Sequence, residues 1–361
     1  LERLGNENLD ALEATIDEER IACGFERSGS IDVATAPWHL HALAESASLA
    51  QRLGLRSQLL DGPAVRARVS SPTYLGGLYR HGTTGLVDPA RLAWGLASAI
   101  ERRAGHLFER SPAVSVARDG RGLRVSTSGG AVVADRVVLA TSAFSPLVPR
   151  IRRYVLPVYD YVLATRPLDE RERASLGWLG REGLADAGNL FHYYRLTPDD
   201  RVLFGGYDAV YYFNNGLAPS HDVRPRTFER LARHFVTTFP QLEGVSFTHA
   251  WGGAIDTCSR FCAFFGVATA GRVAYAAGFT GLGVGASRFA ADVLVDLVTG
   301  ADTERTSLAM VRDRPFPFPP EPLRSAVVGL TRWSLQQSDA SEGRRNAWLR
   351  VLDRMGIGFA S

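Results

Sequence analysis

The sequence predicts a mixed α/β fold on three observations. Residues 272–300 read as a short buried strand, a glycine turn and a long helix. The first 150 residues alternate helical and strand-like stretches, whereas residues 151–255 are richer in aromatics and in strand-like runs. At 361 residues and 45% hydrophobic, the chain can bury a sizeable core in two connected lobes. The predicted regions are 1–150, 151–255, 256–300 and a tail at 301–361.

The elements follow in order. Leu1 and Leu4 run into Leu9, Leu12 and Ile16, a helical stripe with acidic residues between its members. Residues 41–53 predict a second helix, and Gly76 and Gly77 a turn. A stronger helix spans 89–104: Asp88 caps it, Pro89 fits its first turn, Leu92, Leu96 and Ile100 form its stripe, and Gly105 ends it. Residues 123–127 and 131–140, joined by Ser128-Gly129-Gly130, predict a hairpin leading into a buried strand. Runs at 155–165, 190–196, 202–207 and 245–251 predict an antiparallel sheet, with a helix at 226–239 beside it. After the 272–300 segment comes a proline-rich stretch, Pro315 to Pro320, then an amphipathic helix and a short segment around Trp348.

Composition excludes several chemistries. All 41 basic residues are arginine, so no lysine Schiff base, lysine base or lysine phosphate clamp exists here. Arg150, Arg152 and Arg153 make one basic patch, too small to argue for nucleic acid. No apolar run approaches the ~20 residues that span a bilayer, and no signal peptide is evident, so the expectation is a cytoplasmic protein. Three cysteines, an odd count, argue against a disulfide framework. Cys258-Ser-Arg-Phe-Cys262 lacks a nearby histidine and fits zinc poorly, so no metal site is expected.

The turn at 278–285 is the most informative segment. Gly278, Gly281, Gly283 and Gly285 leave backbone amides bare at a helix N-terminus, where the macrodipole favours negative charge. The helix behind them carries an apolar stripe of Ala286, Phe289, Ala290, Val293, Leu294 and Leu297, and Gly300 stops it. Such a turn suits a phosphate or an electron-rich ring edge; a merely close-packed strand-to-helix turn would carry the same residues. A nicotinamide fingerprint also needs a second strand ending in an acidic residue about 20 residues on, and none is evident.

Other stretches join this one in order: Gly85-Leu86-Val87-Asp88-Pro89-Ala90-Arg91-Leu92, Arg136 to Phe144, His192-Tyr193-Tyr194-Arg195-Leu196-Thr197 and Trp251-Gly252-Gly253. Together they resemble the FAD-dependent D-amino-acid oxidase superfamily over about residues 1–300, nearest to its gamma-glutamylputrescine oxidoreductase branch. The resemblance implies an FAD/NAD(P)-binding Rossmann-like sheet and an antiparallel-sheet substrate lobe. Family members open with a strand, a G-x-G-x-x-G turn and a second strand, whereas this sequence opens inside a helix, so the expected sheet lacks its first βαβ unit. A shortened chain of this kind has two expected fates: an FAD enzyme, or a non-catalytic remnant that binds a homo-oligomeric or other partner chain through exposed apolar faces.

By the same resemblance, Val114 matches a backbone contact to adenine. Ala140, Thr141 and Ser142 match the strand end beside the cofactor phosphates and ribityl chain. Gly278, Phe279, Thr280, Gly281, Leu282, Gly283 and Val284 match the loop over the flavin's pyrimidine edge. The implied reaction removes a hydride from the carbon bearing a substrate amine, with molecular oxygen as the final acceptor. A neutral amine lone pair can drive that loss without a protein base, in keeping with a sequence that offers no evident catalytic dyad; His192, His221 and His249 read as isolated. Amino-acid-oxidising relatives place an arginine two residues after the glycine of the tryptophan motif, and Ile255 stands there instead, which favours an amine over an amino acid. Arg260 could restore the clamp, and Asp256 either meets a cationic substrate or caps a turn. Tyr194, Tyr207 and Trp251 are the expected pocket walls.

Overall fold

The computed structural model describes residues 2–144 and 147–358; Leu1 lies outside them. In chain order the elements are α1 (Glu2–Glu18), β1 (Ser30–Ala34), α2 (Pro37–Arg52), β2 (Ser57–Asp61), α3 (Gly62–Arg68) and β3 (Gly76–Arg80). Helix α4 (Pro89–Arg102) leads to β4 (Ala113–Asp119), β5 (Gly122–Thr127), β6 (Ala131–Ala134) and β7 (Val137–Leu139). The middle carries β8 (Leu156–Thr165), α5 (Glu170–Leu176), β9 (Gly183–Asp186), β10 (His192–Leu196), β11 (Val202–Gly206), β12 (Val210–Tyr211), α6 (Pro225–Thr238) and β13 (Phe247–Thr257). Strands β14 (Phe264–Ala268) and β15 (Val273–Ala277) precede α7 (Gly283–Thr299), the single turns α8 (Glu304–Ser307) and α9 (Ala309–Arg312), then α10 (Leu323–Ala340) and α11 (Ala347–Arg354).

Local chemistry explains several boundaries. Asp88 accepts from the amides of Ala90 and Arg91 at the start of α4, and Pro89 occupies its first turn. Gly300, at φ +75°, ends α7 by donating to the Asp296 carbonyl. The run 131–140 is not one strand. Its first half pairs with β5, and at Asp135-Arg136 the chain crosses to another sheet, where the Val137 amide donates to the Arg272 carbonyl. Gly76 and Gly77, expected in a turn, begin strand β3, where a Cβ at Gly76 would lie 2.8 Å from Leu40 and one at Gly77 3.0 Å from Ile31.

Three sheets result. The largest has nine strands, ordered β12-β8-β11-β10-β9-β1-β3-β2, with β13 along the other edge of β8. All its pairings are antiparallel except β1 with β9. Strands β1 to β3 therefore belong to the substrate-lobe sheet, so a boundary at residue 150 does not follow the sheets. The second sheet is β14-β15-β7, and its β15–β7 pair is parallel; the third is the meander β4-β5-β6. One face of the large sheet packs Tyr161, Leu163, Tyr194 and Phe204 against Leu231 and Phe235 of α6 and against Phe239. The parallel pair is sandwiched: Leu139, Val273 and Tyr275 face the meander's Leu123, whereas Ala274 and Ala276 face Ala290, Val293 and Leu294 of α7.

Candidate cofactor and substrate site

Because β7 and β15 run parallel, their C-terminal ends emerge on the same edge. That edge brings Ala140-Thr141-Ser142 beside the 278–284 turn, where ligands of open nucleotide-binding sheets sit. Ser142 has φ +50°, and the Phe144 amide donates to the Thr141 carbonyl, closing a tight turn. Val114 is 65% exposed and lies at the register irregularity of the β4–β5 pair.

The glycine turn is held from below and open above. Gly278 (φ +80°) is buried, and a Cβ there would lie 2.8 Å from Cys258 Cβ and 2.9 Å from Phe264 Cδ1. Thr280 donates its amide to the Asp256 carbonyl at 3.2 Å and its hydroxyl to the Gly278 carbonyl at 3.0 Å. Gly281, Leu282 and Val284 are exposed, and no side chain caps the start of α7. Helix α1 braces this end through Asn8, which donates to the Gly285 carbonyl at 2.9 Å. A protected floor below uncapped amides fits the edge of a flat, electron-rich ring.

Asp256 does not face a substrate. Its buried carboxylate accepts the Gly278 amide at 2.7 Å, with the Phe279 amide also favouring its charged form, so it is the anchor of the turn. Burial raises its pKa above the usual 3.8, against the lowering effect of those amides. The folded state thus binds this proton more tightly than the unfolded chain does. Its contribution to stability is fully present below the ordinary aspartate value and is lost as pH rises through the raised folded value. Urea unfolding across that window should show wild type gaining stability relative to Asp256→Asn as pH falls. A difference independent of pH would mean that Asp256 is not buried as described.

The face of the large sheet opposite α6 looks toward this turn. A Cβ at Gly281 would lie 3.7 Å from Ile255 Cδ1, and Ile255, Gly253 and Trp251 alternate on one side of β13. Their cross-strand partners on β8 are Val158, Asp160 and Val162. Gly205 on β11 and Tyr193 on β10 continue the row. Trp251 is 41% exposed on this face. Tyr194, expected as a wall, has the other parity: it is buried toward α6, stacked on Phe204 and hydrogen-bonded to Asp186 and to Tyr74. Tyr207 also lies on the α6 side, stacked on His192 and edge-on to His234. Arg260 turns away to donate to the Met310 carbonyl and so provides no clamp for a substrate carboxylate. Tyr193, not singled out in the sequence, donates its hydroxyl to Asp160 at 2.6 Å; strand alternation was the signal that could have found it.

The histidines are also less isolated than the sequence suggests; His249 Nδ1 lies 3.0 Å from the Thr248 hydroxyl. His192 Nδ1 lies 2.5 Å from Asp186, and its Nε2 lies 2.8 Å from His234 Nδ1. Burial, then the neighbouring His192 and Arg230, push the His234 pKa down to about 4. This chain of groups sits among the α6-side core and does not reach the glycine turn. His221 stacks on Tyr212 at 3.5 Å, also on that side.

Among the described residues there is no group of three or more His, Cys, Asp or Glu that could hold a metal ion, and no helix is long and apolar enough to cross a membrane. Comparison with known proteins agrees with this geometry. Gamma-glutamylputrescine oxidoreductase of Escherichia coli K12 is 31% identical over 316 residues, covering 86% of this chain and 70% of that protein. The probable oxidoreductase OrdL of Haemophilus influenzae is 28% identical over 309 residues, covering 84% and 68%. Among solved structures, glycine oxidase from Geobacillus kaustophilus superposes with a TM-score of 0.71 at 20% identity, covering 83% of this chain and 79% of that one. L-proline dehydrogenase from P. horikoshii gives 0.70 at 15% identity, covering 84% and 79%. These two share the fold. The DAO family model, FAD dependent oxidoreductase, matches residues 1–297, and the chain belongs to that family of enzymes.

Proposed function

We propose that this chain oxidises the C–N bond of a small acylated amine resembling gamma-glutamylputrescine, with FAD as cofactor and molecular oxygen as acceptor. The observation that carries the reading is the uncapped Gly278–Val284 turn, anchored by Asp256 and facing the open row Ile255, Gly253, Trp251. FAD, when bound, supplies the two-electron acceptor for the hydride that leaves the amine-bearing carbon. Gly278, Phe279, Thr280, Gly281, Leu282, Gly283 and Val284 would hold its ring edge, Ala140, Thr141 and Ser142 its phosphates and ribityl chain, and Val114 its adenine.

The sheet face orients the amine and excludes water from one side of it. Trp251 offers an apolar wall, and Gly253 leaves room beside it. Ile255 places a hydrocarbon where a carboxylate clamp would need a cation, and Arg260 is committed to Met310, which supports an amine over a free amino acid. The name of the Escherichia coli relative points to the same substrate class.

The test is a visible spectrum of the purified chain before and after incubation with FAD and desalting, followed by peroxide release from a panel of acylated and free amines. Retained flavin bands and peroxide from acylated diamines are expected. A colourless protein, or turnover confined to amino acids, would refute the reading.

A further inference from the structure

Asp160 and Tyr193 form a polar pair on the open sheet face, away from every charged cluster described above. The Tyr193 hydroxyl donates to Asp160 Oδ2 at 2.6 Å, and the Tyr161 amide donates to Oδ1 at 2.8 Å. The Gly206 amide also favours the charged carboxylate. A carboxylate accepts about four hydrogen bonds, so acceptor capacity is left. Strand β11 lies between the two residues, and Gly205 lets the ring cross it: a Cβ there would lie 2.9 Å from Tyr193 Cζ and Oη. Asp160 is opposite Gly253, one step along the face from Ile255, which abuts Gly281.

The unusual feature is what this carboxylate lacks. The chain has 41 arginines, yet among the described residues none forms an ion pair with Asp160, whose pKa is raised by burial and further by the like charge of Asp208. A half-buried carboxylate that keeps hydrogen-bond donors but no counter-cation either takes up a proton or meets a cation from outside.

We infer that Asp160, positioned by Tyr193, is a specificity-determining subsite for an ammonium group of the substrate. This inference rests on the amine-oxidation reading and sharpens it. An ammonium held by a carboxylate keeps its proton and has no lone pair to drive hydride loss. The nitrogen at Asp160 is therefore not the one oxidised, and the substrate class is an amine with a second basic nitrogen, such as the free amino group that a gamma-glutamyl acyl group carries. Tyr193 keeps Asp160 turned onto the face and remains a neutral hydroxyl, because burial and the neighbouring Asp160 raise its pKa well above the ordinary tyrosine value.

The experiment is calorimetric titration of the FAD-supplied full chain with 1,4-diaminobutane and with butylamine at pH 8, alongside Asp160→Asn and Tyr193→Phe. The diamine should bind at least about tenfold more tightly than the monoamine, as one charge-assisted contact implies. Asp160→Asn should weaken the diamine far more than butylamine and so abolish that preference, and Tyr193→Phe should reduce it severalfold. Equal binding of the two amines by wild type, no binding of either, or equal weakening of both in Asp160→Asn overturns the inference. Peroxide release is read separately: a preserved binding preference without turnover of either amine or of the acylated diamines refutes the oxidation reading and leaves the subsite standing. Thermal melting of both variants excludes misfolding as the cause.

Discussion

Replacing Gly278 by alanine is expected to destabilise the protein by about 3 kcal/mol and to strip it of FAD. Two costs add. A non-glycine residue at φ +80° pays about 1 to 2 kcal/mol for the left-handed conformation. The new Cβ must also displace Cys258 and Phe264, both 0–1% exposed and lying within 3.0 Å of it, and overpacking of this kind costs about 1 to 3 kcal/mol. Gly281→Ala is the control. Its φ of +83° imposes the same backbone cost, but the nearest atom, Ile255 Cδ1, is 3.7 Å away. Melting temperatures should fall by roughly 4 °C for Gly278→Ala and by about half of that for Gly281→Ala. Equal small shifts would show that the floor of the turn is not packed as described. Visible absorbance after desalting separates the two again, because only Gly278→Ala moves the anchored amide that Asp256 holds.

The contrast between these glycines shows how far the sequence could be read. Four glycines ahead of an apolar stripe announce a turn at a helix start, since no other residue type permits that backbone so freely. Which glycine touches neighbours depends on Cys258, just past the end of β13, and on Phe264, brought there by the β14–β15 hairpin, and nothing local to the turn encodes that. The same limit explains Tyr193 and Tyr194. Alternation says that adjacent tyrosines face opposite sides of a sheet, but which side is open is decided by α6, docked through Leu231 and Phe235 about forty positions later. Ile255 was legible because its identity departs from a family pattern; Asp160 was not, because a solitary aspartate in a strand signals nothing until Gly205 and Tyr193 lie beside it. Strands β1 to β3 joined the large sheet through the parallel β1–β9 pair, a contact between residues some 150 apart that no short-range pattern predicts.

Asp208→Asn is the second substitution expected to have a large effect, and it acts on the tail rather than on the turn. Asp208 is 1% exposed and meets three guanidiniums: Arg224 and Arg230, each at 3.1 Å, and Arg332 of α10. The Thr227 hydroxyl donates to it as well, at 2.7 Å. One negative charge thus holds three positive ones, two from α6 and its N-terminal cap and one from α10. Removing it leaves neighbouring guanidiniums to repel one another in a partly buried space, and breaking a buried ion pair from one side costs about 3 to 5 kcal/mol. The loss should be local at first. Helix α10 is otherwise tied down through Asp339, which accepts from the Asn189 side chain at 2.7 Å, and through Arg324, which donates to Asn215 at 2.7 Å. Hydrogen exchange should therefore accelerate in α10 and the start of α6 before the large sheet is affected. Arg332→Met removes one excess positive charge and keeps Asp208 paired twice, so it should cost far less than Asp208→Asn. If the two variants instead melt alike, the cluster is an assembly of solvated side chains, and α10 is held by its other contacts, those of Asp339 and Arg324 among them.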